Sequence, residues 1–222
     1  MRLVQQQHVV PAVWPVDLNT GANAGDYVSM KNYKHLTVII TINTAGGTAV
    51  VTMVQAKDVA ATGAKALTFA EYWMTGAKWK FTSPSGAFTV GETVTGAGGA
   101  SGVVAEVGAD YILVYTVNAT AVVDGETLTG GTSGITATAD GIGINEDILL
   151  RLACSSTFTT PAVATRTYVI EIDAQMLDVA GDFDCVRLNI AKMGTGSGIG
   201  AAVYILSEPR FAGIPMETAI YD

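Results

Sequence analysis

A six-residue segment occurs twice in this chain with one residue changed. Gly91-Glu92-Thr93-Val94-Thr95-Gly96 returns 34 residues later as Gly125-Glu126-Thr127-Leu128-Thr129-Gly130. A similar tail follows each copy, residues 101–105 (SGVVA) and 133–137 (SGITA). Each copy reads as a short strand, a glycine turn and a second strand, and the apolar run at 111–117 (YILVYTV) lies between them. A lone hairpin is only marginally stable in water, so the copies are expected to pack on each other and on that central run. This predicts a small inserted β domain built from two repeated hairpins over residues 83–141, where aromatic and charged residues thin out in favour of Gly, Thr, Ala and Val.

The flanks, residues 1–82 and 142–222, are each about 80 residues long and together have the length of one β-sandwich, of which the jelly roll is one form. In the 165–190 stretch (TRTYVIEIDAQMLDVAGDFDCVRLNI) Tyr168, Ile170 and Ile172 alternate with Val169, Glu171 and Asp173. A turn-rich segment with Gly181 then leads to a second alternating run, which reads as two strands and a structured connection. Asp173 is placed to cap one helical turn over 173–178, and no other segment has helical periodicity. Residues 36–42 (LTVIITI) and 48–55 (TAVVTMVQ) flank Gly46-Gly47 and read as a hairpin. The 1–26 segment carries Pro11 and Pro15 around Trp14, so it is expected to be an extended arm or an edge strand. The fold class is therefore all-β.

Only 14% of residues are charged, against roughly 25% in a typical soluble domain. So sparsely charged a surface is expected to be covered in part by other subunits. The net charge of −8, with 12 scattered Lys and Arg, opposes binding to a phosphate backbone, so nucleic acid is not an expected partner. No run approaches the roughly 18 apolar residues of a membrane span, and Gln5-Gln6-Gln7 interrupts any leader-like core. A cytoplasmic site of synthesis and no membrane partner are the expectations. Cys154 and Cys185 lie in apolar strand-like runs and read as reduced thiols, although a disulfide between them depends on a distance that spacing does not give.

Trp14, Trp73 and Trp79 are the candidate interface residues. Trp73 and Trp79, with Tyr72 and Phe81, read as hairpin core or cross-strand pairs, and a sugar-stacking platform is the functional alternative. Glu92 and Glu126 form a repeated carboxylate pair that could serve acid/base chemistry, but duplication copies every residue whether or not it reacts. The glycine-rich 194–200 segment precedes a strand-like run rather than a helix, so it reads as a flexible hairpin loop and not a phosphate cradle. Asp173, Asp178, Asp182 and Asp184 read as turn and cap carboxylates rather than calcium ligands. His8 and His35 have no metal-ligand or nucleophile spacing around them. No catalytic, cofactor-binding or metal-binding residue is assigned.

One further pattern is informative. Residues 7–11 (QHVVP), 15–18 (PVDL), 25–33 (GDYVSMKNY), and 171–174 (EIDA) through Leu177-Asp178 to 183–187 (FDCVR) resemble a family of tailed-bacteriophage virion proteins. The inserted repeat resembles the paired G-E-x-[VL]-T-G hairpins of phage surface and tail proteins. The resemblance covers about 160 residues of the flanks and implies a capsid decoration or cement role without catalytic residues. It implies a virion location on the capsid exterior, with assembly in the host cytoplasm. The implied partners are the major capsid protein and further copies of the chain, most simply as a trimer. The alternative is a receptor- or glycan-binding module of a phage head or tail fibre.

Overall fold

The computed structural model describes residues 7–116, 118, 120–141 and 144–210. Among the described residues seventeen strands follow one another, beginning with β1 (His8–Asp17), β2 (Asn23–Ala24), β3 (Val28–Ser29), β4 (Tyr33–Ala45), β5 (Val50–Ala56), β6 (Lys65–Leu67), β7 (Glu71–Thr82), β8 (Thr93–Gly96) and β9 (Ser101–Val107). The remainder are β10 (Tyr111–Thr116), β11 (Thr127–Gly130), β12 (Thr136–Ala139), β13 (Ile144–Ala153), β14 (Thr157–Thr159), β15 (Val163–Asp173), β16 (Cys185–Ile190) and β17 (Ser197–Pro209). Two 3-10 turns, Ala174–Met176 and Val179–Gly181, make up the connection from β15 to β16. The all-β reading holds.

The chain forms two compact units. One comprises residues 1–72, 153–161 and 167–222, and the other 73–152 and 162–166. The sequence reading set its divisions at 82/83 and 141/142. The observed divisions lie further out on both sides, because β7 and β13 contribute most of their length to the second unit.

The first unit is a two-sheet sandwich. One sheet runs β1-β17-β4-β15, and the other runs β14-β5-β16-β2 with β3 on β16 and β6 on β5. Strict alternation on β4 buries Leu36, Val38, Ile40 and Ile42, and on β16 Leu188 and Ile190 are equally inaccessible. Tyr204 of β17 ties the two layers together, since its hydroxyl accepts the Leu188 N–H at 2.7 Å inside the core. Gly25 is required beside it: a methyl there would stand 2.7 Å from the Ala12 carbonyl and 2.8 Å from the Tyr204 hydroxyl.

Three local expectations change at the level of strand partners. β4 and β5 do not form a hairpin: β4 pairs with β17 along 12 positions, whereas β5 pairs with β16, β14 and β6 in the opposite sheet. The Gly46-Gly47 segment is therefore an arch between sheets. A methyl on Gly47 would run into the Thr195 carbonyl, so the arch is packed directly on the 193–196 loop. That loop also joins different sheets, β16 to β17, and is not a hairpin loop. The 165–190 stretch is two strands with a structured connection, as expected, but again its strands belong to opposite sheets.

In the second unit β7, β10, β9, β8, β11 and β12 pair in that order, and β12 pairs back onto β7. All six contacts are antiparallel, with Ile112 opposite Trp79 on one side of β7 and Ala139 opposite Phe81 on the other. The circuit is a closed small barrel, which leaves no free edge among its six strands. Its interior contains Ala77, Trp79, Phe81, Phe88, Val94, Val104, Ile112, Val114 and Leu128. Gly102 makes room for the indole, since a methyl there would lie 3.2 Å from the Trp79 ring.

The repeat copies meet along β8 and β11, where Thr95 faces Thr129, Val94 faces Gly130 and Gly96 faces Leu128. Adding 34 to one member of each pair and subtracting 34 from the other returns the same set, so a local two-fold axis passes through Thr95 and Thr129. The second strands are offset differently. Thr95 faces Ser101 and Thr129 faces Thr136, so Ser101 is structurally equivalent to Thr136, not to Ser133 as the matching tails had suggested.

Candidate interaction surface

The outward face of β1, β17 and β4 concentrates exposed apolar side chains. β1 is the sheet edge, and Pro11 and Pro15 suit it to that place because an edge strand can do without their missing N–H groups. Register places Val9 beside Ile205, Pro11 beside Val203 and Asp17 beside Ile199, and the same β17 residues face Thr37, Ile39 and Asn43 of β4. Trp14 lies within the second register shift of β1, between Val13 and Val16, and is 72% exposed; Ile199 is 61% exposed and Val9 41%. Between these residues the face presents Thr37, Ile39, Thr41 and Ala201, none of them charged.

Charge returns only at the ends of this face. Asp17 marks one end. At the other, His35 of β4 meets two carboxylates of β15, with Nε2 against Glu171 and Nδ1 2.9 Å from Asp173, while the Thr37 hydroxyl donates to Glu171 at 3.0 Å. A neutral imidazole would set a bare nitrogen against one carboxylate, whereas the imidazolium satisfies both. Burial alone would lower the His35 pKa and is the largest single influence. The hydrogen bonds to Asp173 and Glu171 together outweigh it and hold the ring above the ordinary histidine value.

The three tryptophans occupy different environments. Trp14 is on this apolar face and free of its own core, although its strand is paired within its own sheet. Trp73 is half-buried on β7. Trp79 is 2% exposed inside the barrel and offers no ring face to a partner, which corrects its place among the interface candidates and removes the two-ring sugar platform. Inward parity on β7 switches between Gly76 and Ala77, from even to odd positions, and this separates the fates of Trp73 and Trp79. Tyr72 stacks on Phe158 with ring centroids 3.9 Å apart.

The repeated glutamates hold turns. Glu92 is 4% exposed and accepts from the Thr89 N–H at 2.6 Å, the Ser133 N–H at 2.9 Å, the Thr132 N–H at 3.2 Å and the Ser133 hydroxyl at 3.0 Å. Glu126 accepts from the Val123 N–H at 2.7 Å and the Gly98 N–H at 2.6 Å. Each carboxylate thus braces the turn before it and the turn of the other copy. Burial works against ionisation of Glu92 as the largest single influence, but its donors prevail together and hold the carboxyl below the usual range. The closing glycine of each motif is explained by the same contact: a methyl on Gly96 would stand 2.8 Å from the Glu126 carboxylate, and one on Gly130 2.7 Å from that of Glu92.

The four aspartates have separate tasks. Asp173 occupies the N-cap position of the first 3-10 turn and contacts His35. Asp178 accepts from Gly181 and pairs with Lys65 at 2.5 Å, Asp182 takes a left-handed conformation, and Asp184 lies beside the Cys185 thiol. Among the described residues no group of three His, Cys, Asp or Glu side chains is placed to hold a metal ion. Neither Cys154 nor Cys185 is in a disulfide, and Cys185 is wholly buried.

Sequence reasoning found Trp14 but missed the rest of the apolar face. The available signal was the 199–206 run (IGAAVYIL), apolar at both parities, whereas a strand with one wet face alternates.

No family model and no curated protein matches the chain. Among solved structures, it is similar to the VP2 subviral particle of infectious bursal disease virus, with 9% identity over 98% of this chain and 85% of that one, at a TM-score of 0.21. It is likewise similar to the structure of the Gx strain of the same virus, with 10% identity over 92% of this chain and 42% of that one, at a TM-score of 0.21. Values this low fall short of a shared topology, and no function is taken from either.

Proposed function

We propose that this protein is a non-enzymatic virion structural protein of the capsid decoration type. It binds the outer shell of a tailed bacteriophage as a homo-oligomer, most simply a trimer, and stabilises the shell by burying surface across subunit boundaries. The observation that carries this reading is the uncharged apolar face of β1, β17 and β4, with Trp14 at its edge. Three strands about 4.8 Å apart, over roughly seven residues of about 3.4 Å each, outline a face of about 340 Å². That equals the largest apolar patch of many monomers but is below the roughly 800 Å² per partner of a stable interface. The face therefore serves as the dry centre of a larger contact with a polar rim.

The resemblance of the flanking segments to phage virion proteins supports the same reading, as does the low charge of the chain. Light scattering of the purified protein tests the oligomer. We expect a multimer that Trp14→Glu converts to a folded monomer, and a monomeric wild type would refute self-association. Particles that lack the protein are expected to lose heat and salt resistance, and unchanged resistance would refute the cement role.

A further inference from the structure

Beside the 3-10 turns of the first unit lie two adjoining concavities that share Ala174, Val179 and Arg210. The larger, about 360 Å³, also has Lys34 and Gln175 in its wall; the smaller, about 170 Å³, adds Lys31, Asp184 and the apolar Met30, Leu177 and Phe183. The floor is apolar, and Val179 stands 60% exposed at its lip. Three cations and one carboxylate line this groove on a chain whose net charge is −8. Among the described residues none of Lys31, Lys34 and Arg210 pairs with a carboxylate, whereas Lys65 nearby is committed to Asp178. Arg210 is anchored through its main chain, its N–H donating to the Asn32 carbonyl at 2.9 Å, while its Nε reaches the Tyr33 carbonyl at 3.4 Å.

We propose that this groove is a docking site for an extended acidic peptide segment of a partner protein, one that alternates carboxylates with apolar side chains. The cations would take the carboxylates at the rim, and the floor formed by Leu177, Phe183 and Met30 would take the apolar side chains. A small inorganic anion fits the groove poorly, because it would gain nothing from that floor. The volume of the larger lobe falls within the roughly 300–1,000 Å³ usual for organic ligands, and the charge it presents is opposite to that of the rest of the chain.

A fluorescein-labelled octapeptide of alternating glutamate and leucine is the probe, with its glutamine–leucine counterpart as control, read by fluorescence anisotropy on the full chain. Saturable binding is expected, weakened about tenfold or more by the paired substitution Lys34→Glu and Arg210→Glu and by raising salt to about 0.5 M. Amide chemical shifts of the wild type should move at Ala174 and Val179, a readout that does not depend on a variant folding. The proposal fails if the glutamine peptide binds as well, if charge reversal leaves binding unchanged in a folded variant, or if about 10 mM phosphate displaces the probe completely. It also fails if a chain ending at Arg210 binds the probe about tenfold more tightly, because the groove would then belong to residues 211–222 of the chain itself.

Discussion

Glu92 and Glu126 occupy the same position of the same motif, and their environments predict different consequences of removal. Replacing Glu92 by Ala leaves three N–H groups and one hydroxyl without their acceptor, in a site that is 4% exposed. An unsatisfied buried donor costs about 1–3 kcal/mol, and water reaches some of these donors once the side chain is gone, so a loss of about 3–5 kcal/mol is expected. Glu126→Ala frees only two N–H groups, both with access to solvent, and about 1 kcal/mol is expected. Urea unfolding followed by Trp79 emission reports on the barrel, in a background where Trp14 and Trp73 are replaced by Phe. The pH dependence gives a second readout. The Glu92 pKa is lower in the folded than in the unfolded chain, so its contribution is fully present above the unfolded value near 4.3 and is lost as pH falls through the folded value. The stability gap between wild type and Glu92→Gln should therefore be about 2 kcal/mol near neutrality and narrow progressively as pH falls from about 4.3 through the folded value. A loss under about 1 kcal/mol for Glu92→Ala, or equal losses for the two glutamates, would refute this account of the turns.

Other substitutions test the remaining structure. Trp79→Ala empties the centre of the barrel and should cost about 3–5 kcal/mol by the same urea assay read through circular dichroism. Gly47→Ala meets the Thr195 carbonyl, while Gly21→Ala meets nothing within 4 Å; thermal unfolding should separate them, with only the first lowering Tm by several degrees. The folded pKa of His35 is raised, so its contribution is fully present below the unfolded value near 6.5 and fades as pH rises through the folded value. A proton NMR titration should place the ring above 6.5 in the wild type and lower in Glu171→Gln.

Alternation made the strands themselves easy to locate, because it states which side of a strand is buried. It does not state which strand lies alongside. β4 and β5 satisfy every local rule for a hairpin, yet β4 finds its longest partner in β17, more than 150 residues away, and Gly46-Gly47 serves an arch. The repeat was legible because two hexapeptides that differ only at Val94 and Leu128 need no structural reading, but its tails were matched on Ser-Gly rather than on register. Trp79 illustrates a different limit. A face switch at Gly76 and Ala77 follows from the second unit closing into a barrel, and barrel closure depends on pairing between β7 and β12, which are distant in sequence. Trp14 could be flagged in advance because flanking prolines already confined its strand to an edge.

The exchange of glutamates across Thr95 and Thr129 bears on how such a module could arise. One copy by itself has a carboxylate with no second turn to brace and a turn with no carboxylate to brace it. Two separate copies would supply each other's missing half through the same contacts that now lie within one chain. The module has the internal logic of a symmetric dimer joined into one chain, and the run that connects its copies supplies β10, a stave of the barrel.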